Sequence, residues 1–209
     1  MGYSTPARFL VLIKMKKDRS YRASNIPESA QCVFEGEIFD VYQWEQELYD
    51  GSTATFEKLT RADTAIVFPI LEDGRILLIN EKQPGRTASH VAPSGRVEAG
   101  ELPEQTARRE LKEETGYEPE ELILLYTHTP ASKIDWVIYA YVGKQCKKVT
   151  EPTPEPGERI EPVPVSFEEL LELVTQEHPS NQYGYFATMV YEALRDDKKM
   201  RILRELFAA

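Results

Sequence analysis

The chain reads as a mixed α/β protein, and three observations predict it. Runs rich in β-branched, aliphatic and aromatic residues at Thr64 to Leu71, Arg75 to Asn80, Leu122 to Thr127 and Ile134 to Val142 predict strands. Between the second and third of these lies a Glu-, Arg- and Ala-rich stretch bounded by Pro103 and Gly116, which predicts a helix. Further helical segments follow the last strands. Strands on both sides of a loop-helix-loop, with helices after them, make a mixed layered architecture.

Taken in order, residues 1 to about 30 predict no clear element, and Lys14, Lys16, Lys17 and Arg19 read as a solvated basic arm. From Val33 to about Thr60, strand-like runs flank Asp50-Gly51, a hairpin-turn pair. Thr64 to Leu71 is apolar enough to be a buried strand. Asp73-Gly74 turns the chain into the next strand, whose Ile76-Leu77-Leu78-Ile79 run suits a central position. Pro103 suits the first helical turn, where its missing N–H costs nothing, and Gly116 suits the left-handed position just past the end.

After the two later strands, Glu151 to Pro164 carries five prolines and is expected to be a loop. Ser166 with Glu169 forms a capping-box pattern for a helix running to about Gln176. A second helix is expected over about Asn181 to Leu194, with Lys198 to Phe207 extending it. The chain accordingly divides into an N-terminal arm and β-segment over residues 1–60 and a main domain over residues 61–209.

Composition narrows the function. Hydrophobic residues make up 41% and charged residues 29%, which are globular values for a chain of 209 residues. A net charge of −10 argues against non-specific binding to nucleic acid or to an anionic membrane. The early apolar run Phe9 to Ile13 is too short for a signal-peptide core or a membrane span. Cys32 and Cys146 are far apart and in no metal spacing; reduced thiols in a cytoplasmic protein are the default, with one disulfide left open. His90, His128 and His178 are isolated, so a zinc site is not expected.

Residues 95–117 carry most of the functional information. Glu110, Glu113 and Glu114 fall at i, i+3 and i+4, so a helix lines them along one face. Such like charges repel unless a cation sits among them. Hard divalent ions such as Mg²⁺ prefer oxygen ligands, with waters and substrate phosphate completing the shell. The bland alternative is a solvated helix face in which Arg109 and Glu113 form an ordinary i,i+4 pair. Gly95, Glu101, Arg109, Glu110, Leu111, Glu113, Glu114 and Gly116 match Gly-x5-Glu-x7-Arg-Glu-U-x-Glu-Glu-x-Gly-U, where U is a bulky aliphatic. Only Tyr117 departs, at the last position. At average residue usage, the seven fixed positions would coincide by chance on the order of once per million such chains.

This stretch resembles the Nudix box, and the resemblance to a Nudix domain extends over about residues 61 to 200. It implies an α/β/α sandwich with a mixed sheet and hydrolysis of a nucleoside diphosphate linked to another group. It also implies Mg²⁺ or Mn²⁺ held by Glu110, Glu113, Glu114 and the backbone carbonyl of Ser94. Arg109 would orient the glutamates through its guanidinium fork, and Glu101 and Gly95 would support the ligands.

Three features outside the box resemble the ADP-ribose and nucleoside-diphosphate-sugar pyrophosphatase branch. The first is Phe34-Glu-Gly-Glu-Ile-Phe-Asp-Val41, similar to that branch's N-terminal β-segment, which implies a homodimer. The second is Ala92-Pro93-Ser94-Gly95 at the entry to the box. The third is Glu155-Pro-Gly-Glu-Arg-Ile-Glu161, similar to an acidic loop that supplies a further catalytic glutamate; Glu158 is the first choice, with Glu155 and Glu161 in competition and a merely solvated loop as the alternative.

The chain also departs from the branch. Gln83-Pro84-Gly85 replaces a Gln-aromatic-Arg, leaving Arg86 one place late as a substrate-binding candidate. Pro130, thirteen residues past Tyr117, opens Pro130-Ala131-Ser132 in place of Pro-Gly-Gly. Tyr42 and Trp44 share one side of an expected strand, where they either pack across the sheet or stack on a nucleobase. Trp136 is expected in the core.

The expected reaction is metal-assisted hydrolysis of a small nucleoside diphosphate sugar, similar to ADP-ribose, giving a nucleoside monophosphate and a sugar phosphate. The alternatives are a Nudix hydrolase of nucleoside triphosphates or dinucleoside polyphosphates, and a non-catalytic nucleotide-sugar sensor.

Overall fold

A computed structural model describes residues 26–85, 88–154, 157–176 and 183–209. The basic arm, Phe9 to Ile13, Arg86, Glu155 and His178 therefore lie outside the described residues. The chain forms two compact units. One comprises the residues up to Asp63 together with Thr129–Ile138, and the other comprises Thr64–His128 and Tyr139–Ala209.

The first unit is a four-stranded sheet in the order β1-β2-β3-β10, built from β1 (Gln31–Glu35), β2 (Asp40–Glu47), β3 (Thr53–Thr60) and the short β10 (Ile134–Asp135). Strands β2 and β3 pair antiparallel along their whole length, from Asp40↔Thr60 to Glu47↔Thr53. Their connection contains the expected Asp50-Gly51 turn. Gly51 takes φ +81°, and the Asp50 carboxylate accepts bonds from the Ser52 amide (3.0 Å) and hydroxyl (2.6 Å). Pairing in register puts Trp44 opposite Phe56, with ring centroids 6.0 Å apart, and Tyr42 opposite Lys58.

The expected strand from Ile134 to Val142 is in fact two. Ile134 and Asp135 pair parallel with Leu59 and Thr60 of β3, whereas β11 (Ile138–Lys148) belongs to the larger sheet. At the break, the Val137 amide donates to the Asp63 carboxylate at 2.9 Å. Trp136 is half-buried, with the Arg61 guanidinium 4.4 Å from its ring centroid. A side-chain acceptor thus takes the hydrogen bond that would have continued the ladder.

The second unit is built on an eight-stranded sheet whose main path runs β12-β5-β4-β11-β8. Its strands are β4 (Thr64–Leu71), β5 (Ile76–Lys82), β6 (Ser89–Val91), β7 (Ser94–Arg96), β8 (Tyr117–Glu118), β9 (Glu121–His128), β11 and β12 (Arg159–Val165). Strand β4 is buried throughout after Thr64, as its unbroken apolar run requires. Ala65, Val67 and Leu71 join Leu77, Tyr141 and Cys146 in a core shared with Ala107 and Leu111 of helix α1 (Pro103–Thr115). Alternate residues of β4 point to the opposite layer. There Phe68 meets Phe186 at 4.7 Å and Phe207 at 5.7 Å, beneath helices α2 (Phe167–Thr175), α3 (Gly184–Ala193) and α4 (Asp197–Leu206). Helices thus cover both sheet faces, giving an α/β/α arrangement within this unit.

Two expectations are overturned here. The proline-rich segment does not stay a loop, because Arg159–Val165 pairs antiparallel with β5 from Arg159↔Lys82 to Val165↔Ile76. Strand β12 is a terminal strand of the sheet path, and Pro162 and Pro164, two apart, direct their donor-less nitrogens to the same side. An edge strand tolerates that where an inner strand would lose ladder bonds. The C-terminal tail does not extend the preceding helix either. Asp196 starts α4 afresh by accepting from the Lys198 and Lys199 amides at 2.9 and 3.3 Å. The Ser166 box forms as read, with the Glu169 amide donating to Ser166 Oγ at 3.2 Å and the Ser166 amide to Glu169 Oε2 at 2.7 Å.

Candidate active site

Helix α1 sets the site because its two faces have different work. Ala107 and Leu111 are buried against the sheet, and Glu110, Glu113 and Glu114 project from adjoining positions. The helix is stopped by Gly116 at φ +79°, whose amide donates to the Lys112 carbonyl at 2.8 Å. A Cβ at Gly116 would fall 2.1 Å from the Thr150 carbonyl oxygen, so this glycine answers both to backbone conformation and to the close approach of a later segment of the chain. The returning segment is tied down as well. Val149 and Thr150 donate to the Gly116 carbonyl, and Thr153 donates to the Glu113 carbonyl at 2.7 Å.

Gly95, on β7, lies beneath the carboxylates. Its φ is ordinary, but a Cβ would fall 1.9 Å from Glu110 Oε1 and 2.0 Å from Glu110 Cδ. The box glycine is therefore demanded by close approach of a carboxylate. The adjacent Ser94 amide donates to Glu114 Oε2 at 3.2 Å.

Arg109 ties the cluster together. Its Nε and Nη2 donate to the two oxygens of Glu101 at 3.0 and 3.1 Å, a bidentate fork. Its Nη1 donates to Glu110 Oε1 at 2.6 Å and Glu113 Oε2 at 3.0 Å, and Nη2 also reaches the Arg96 carbonyl at 3.2 Å. Glu101 is held in turn by the Thr106 hydroxyl at 2.7 Å.

These surroundings push the carboxylates in opposite directions. Hydrogen bonds from Arg109 hold Glu101 below the ordinary carboxylate range. Burial pushes Glu110 above it, against the pull of the same guanidinium. Glu114, only 5% exposed, is pushed well above it by burial, and the charges of Glu110, Glu158 and Glu81 act the same way, opposed by the Ser94 amide. Two desolvated carboxylates facing further negative charge form an environment that a cation would relieve.

The strands bring two more groups to this cluster. Arg159↔Lys82 is the first pair of the β12–β5 ladder, so Glu158 and Gln83 face each other just beyond it. The Gln83 side-chain amide donates to Glu81 at 2.6 Å and to Glu158 at 3.5 Å. Glu161 pairs with Asn80 and is exposed, one residue out of phase with the face that carries Glu81 and Gln83. Sequence reading did not single out Glu81 and marked Gln83 only as the start of Gln83-Pro84-Gly85. Their signal was two polar residues at i and i+2 terminating an otherwise apolar strand.

Glu110, Glu113, Glu114, Arg109, Glu101, Ser94, Gly95 and Glu158 thus gather in the second unit. Tyr42 and Trp44 belong to the first. Trp44 is half-buried, its ring tilted 50° against that of Phe56, and donates from its indole to Gln46 at 3.1 Å. Trp44 thus makes a cross-strand contact within that sheet. Both cysteines are free thiols, Cys32 exposed and Cys146 buried. No described helix is long and apolar enough to cross a membrane.

A glutamate-bearing helix, closed by a left-handed glycine and laid over a mixed sheet, defines the class of this protein. Residues 60–187 match the NUDIX domain family, and the chain belongs to that family as a Nudix hydrolase. It is similar to a Bacillus subtilis (strain 168) protein named ADP-ribose pyrophosphatase, 28% identical over 145 residues, or 68% of this chain and 78% of that one. It is also similar to the methanol dehydrogenase activator of Bacillus methanolicus, 31% identical over 118 residues, or 56% of this chain and 64% of the relative. The solved structure of an ADP compounds hydrolase shares the fold with a TM-score of 0.66 at 19% identity, covering 82% of this chain and 94% of that one.

Proposed function

We propose that this Nudix hydrolase cleaves the pyrophosphate bond of a nucleoside diphosphate sugar similar to ADP-ribose, releasing a nucleoside monophosphate and a sugar phosphate. The observation that carries the reading is the grouping of Glu110 and Glu114, both desolvated, with Glu158 beside them on a second element. The similarity to an ADP-ribose pyrophosphatase supports the substrate class.

The donor set suits a hard divalent cation, Mg²⁺ or Mn²⁺. All donors are oxygens, and the carboxylates are costly to keep charged without a cation. Among the described residues no three acidic, His or Cys side chains are grouped so as to hold a metal ion by themselves. An ion here would take the rest of its shell from waters and substrate phosphate. Glu110, Glu113, Glu114 and the Ser94 carbonyl would hold it, and when bound it supplies charge neutralisation of the diphosphate.

The chain's own residues perform the rest. Glu158 orients a water in line with the scissile phosphorus–oxygen bond and accepts its proton as the new bond to phosphorus forms. The departing phosphate oxygen leaves with the bonding electron pair. Arg109 keeps Glu110 and Glu113 in register, and Glu101 fixes the guanidinium from behind. Tyr42 and Trp44 offer aromatic faces to the base, and Arg86 offers charge to the phosphates, both by family resemblance. Homodimerisation is supported by the same resemblance and by exposed Val33, Phe34 and Ile38 in and beside the edge strand β1.

The deciding experiment incubates the protein and Mg²⁺ with ADP-ribose, a panel of sugar nucleotides, NADH and nucleoside triphosphates, and identifies products by chromatography. Release of a nucleoside monophosphate from sugar nucleotides is expected. Turnover of triphosphates alone would refute the reading. A second reading, action on a partner enzyme, is favoured by the relative named as an activator. Stimulation of a dehydrogenase by a Glu114→Gln variant that lacks hydrolysis would establish it.

A further inference from the structure

We propose that Glu81 is a specificity-determining residue, the acceptor that reads a sugar hydroxyl of the substrate beside the scissile diphosphate. This rests on the proposed hydrolysis of a nucleoside diphosphate sugar. Side chains alternate along β5, so Glu81 shares a face with Leu77 and Ile79. Leu77 packs with Ala107 and Leu111 of α1, so this face of β5 is the one turned to the helix that bears the site glutamates. Glu81 continues the row past its apolar members. Its closeness to the site is also electrostatic: after burial and the charges of Glu110 and Glu158, the charge of Glu81 acts to raise Glu114. The strand is paired on both sides at this residue, with Ser89 of β6 and Ile160 of β12.

The chemistry of the open atoms decides what they can hold. Glu81 is half-buried, and its Oε1 accepts from the Gln83 side-chain amide at 2.6 Å, which fixes the carboxylate. Among the described residues, Glu81 Oε2 takes no hydrogen bond or ion pair, and neither does Gln83 Oε1. Two acceptors therefore stand open on a strand end held by its neighbours. Acceptors call for a donor. Ionised phosphate oxygens carry none and share the sign of Glu81, whereas a sugar hydroxyl donates and is neutral. The same carboxylate thus selects a sugar and opposes a further phosphate, which separates sugar nucleotides from nucleoside triphosphates by attraction and by repulsion together.

The test takes the intact protein with Mg²⁺, its best sugar-nucleotide substrate, and deoxy analogues of that substrate. Some analogues lack a hydroxyl of the nucleoside ribose, the others a hydroxyl of the distal sugar. Wild type should lose about 10-fold or more in kcat/KM on one analogue, and which one identifies the sugar being read. Glu81→Ala should lower kcat/KM for the parent substrate by about the same factor, then treat parent and that analogue alike within about twofold. Glu81→Gln keeps the shape and removes the charge, so the inhibition constant of a nucleoside triphosphate should fall about threefold or more. Wild type indifferent to every hydroxyl would overturn the inference without any variant having to fold. An unchanged inhibition constant in Glu81→Gln would overturn it too. So would equal losses in Glu81→Ala on parent, analogues and triphosphate, which would assign Glu81 to the metal or the water. Wild type inert toward every sugar nucleotide would instead sink the functional reading, and this inference with it.

Discussion

Replacing Gly95 by alanine separates the stability of this protein from its chemistry. The added methyl would stand 1.9 Å from Glu110 Oε1, 2.0 Å from Cδ and 2.6 Å from Cγ, and no backbone atom is among its nearest neighbours. The cheapest escape is therefore rotation of the Glu110 side chain. That rotation breaks the 2.6 Å bond from Arg109 Nη1, a charge-assisted contact at a site still partly reached by solvent. Its loss together with an off-rotamer side chain comes to about 1–3 kcal/mol. Because Gly95 has no positive φ, no backbone penalty is added.

Activity should respond far more steeply, falling about 100-fold, since moving a phosphate-site carboxylate by the width of a methyl destroys alignment. Urea denaturation gives the first quantity and steady-state hydrolysis with saturating Mg²⁺ the second. Wild-type kcat in Gly95→Ala would show that Glu110 is not needed where it stands. Destabilisation beyond about 5 kcal/mol would show that the strand, not the side chain, has to give way.

Arg109→Lys keeps one charge but loses the fork shared by Glu101, Glu110 and Glu113; thermal unfolding should report a loss of about 1–2 kcal/mol, and kcat should fall at least tenfold. Ser166→Ala removes the acceptor of the Glu169 amide and should cost about 1 kcal/mol in denaturant unfolding without altering kcat, because α2 carries no site residue. Burial pushes the Cys146 thiol up to about 12, so a thiol reagent at pH 8 should modify exposed Cys32 quickly and Cys146 only after unfolding. The sign of the linked pH effect follows. Above the ordinary thiol range the unfolded chain releases this proton while the folded chain keeps it, so Cys146 lowers stability progressively between that range and about pH 12. Two fast-reacting thiols in the native protein would contradict this burial.

What the sequence made legible was local. Pro103, Gly116, Ser166 with Glu169, and Asp50-Gly51 each announce a boundary through their own backbone chemistry, and each boundary forms. The box places its carboxylates because helical spacing alone puts them on adjoining positions. What failed depended on partners distant in sequence. Pro162 and Pro164 look like strand-breakers until β12 is seen at the edge of its path. Trp136 and Val137 look like the middle of a strand until Asp63, far upstream, takes the Val137 amide. Glu81 and Gln83 acquire meaning only through the register of β5 with β12, which nothing within either segment discloses.

The tie from the Thr153 amide to the Glu113 carbonyl has a consequence for how such a protein can diversify. Downstream of that knot the chain is fixed again at Arg159, where β12 enters the sheet. Glu158 stands directly beside the second of these fixed points. An inserted or deleted residue there would re-aim the carboxylate of Glu158 without unsettling the scaffold. A change of substrate by a change of length beside Glu158 would leave the glutamate-bearing helix untouched.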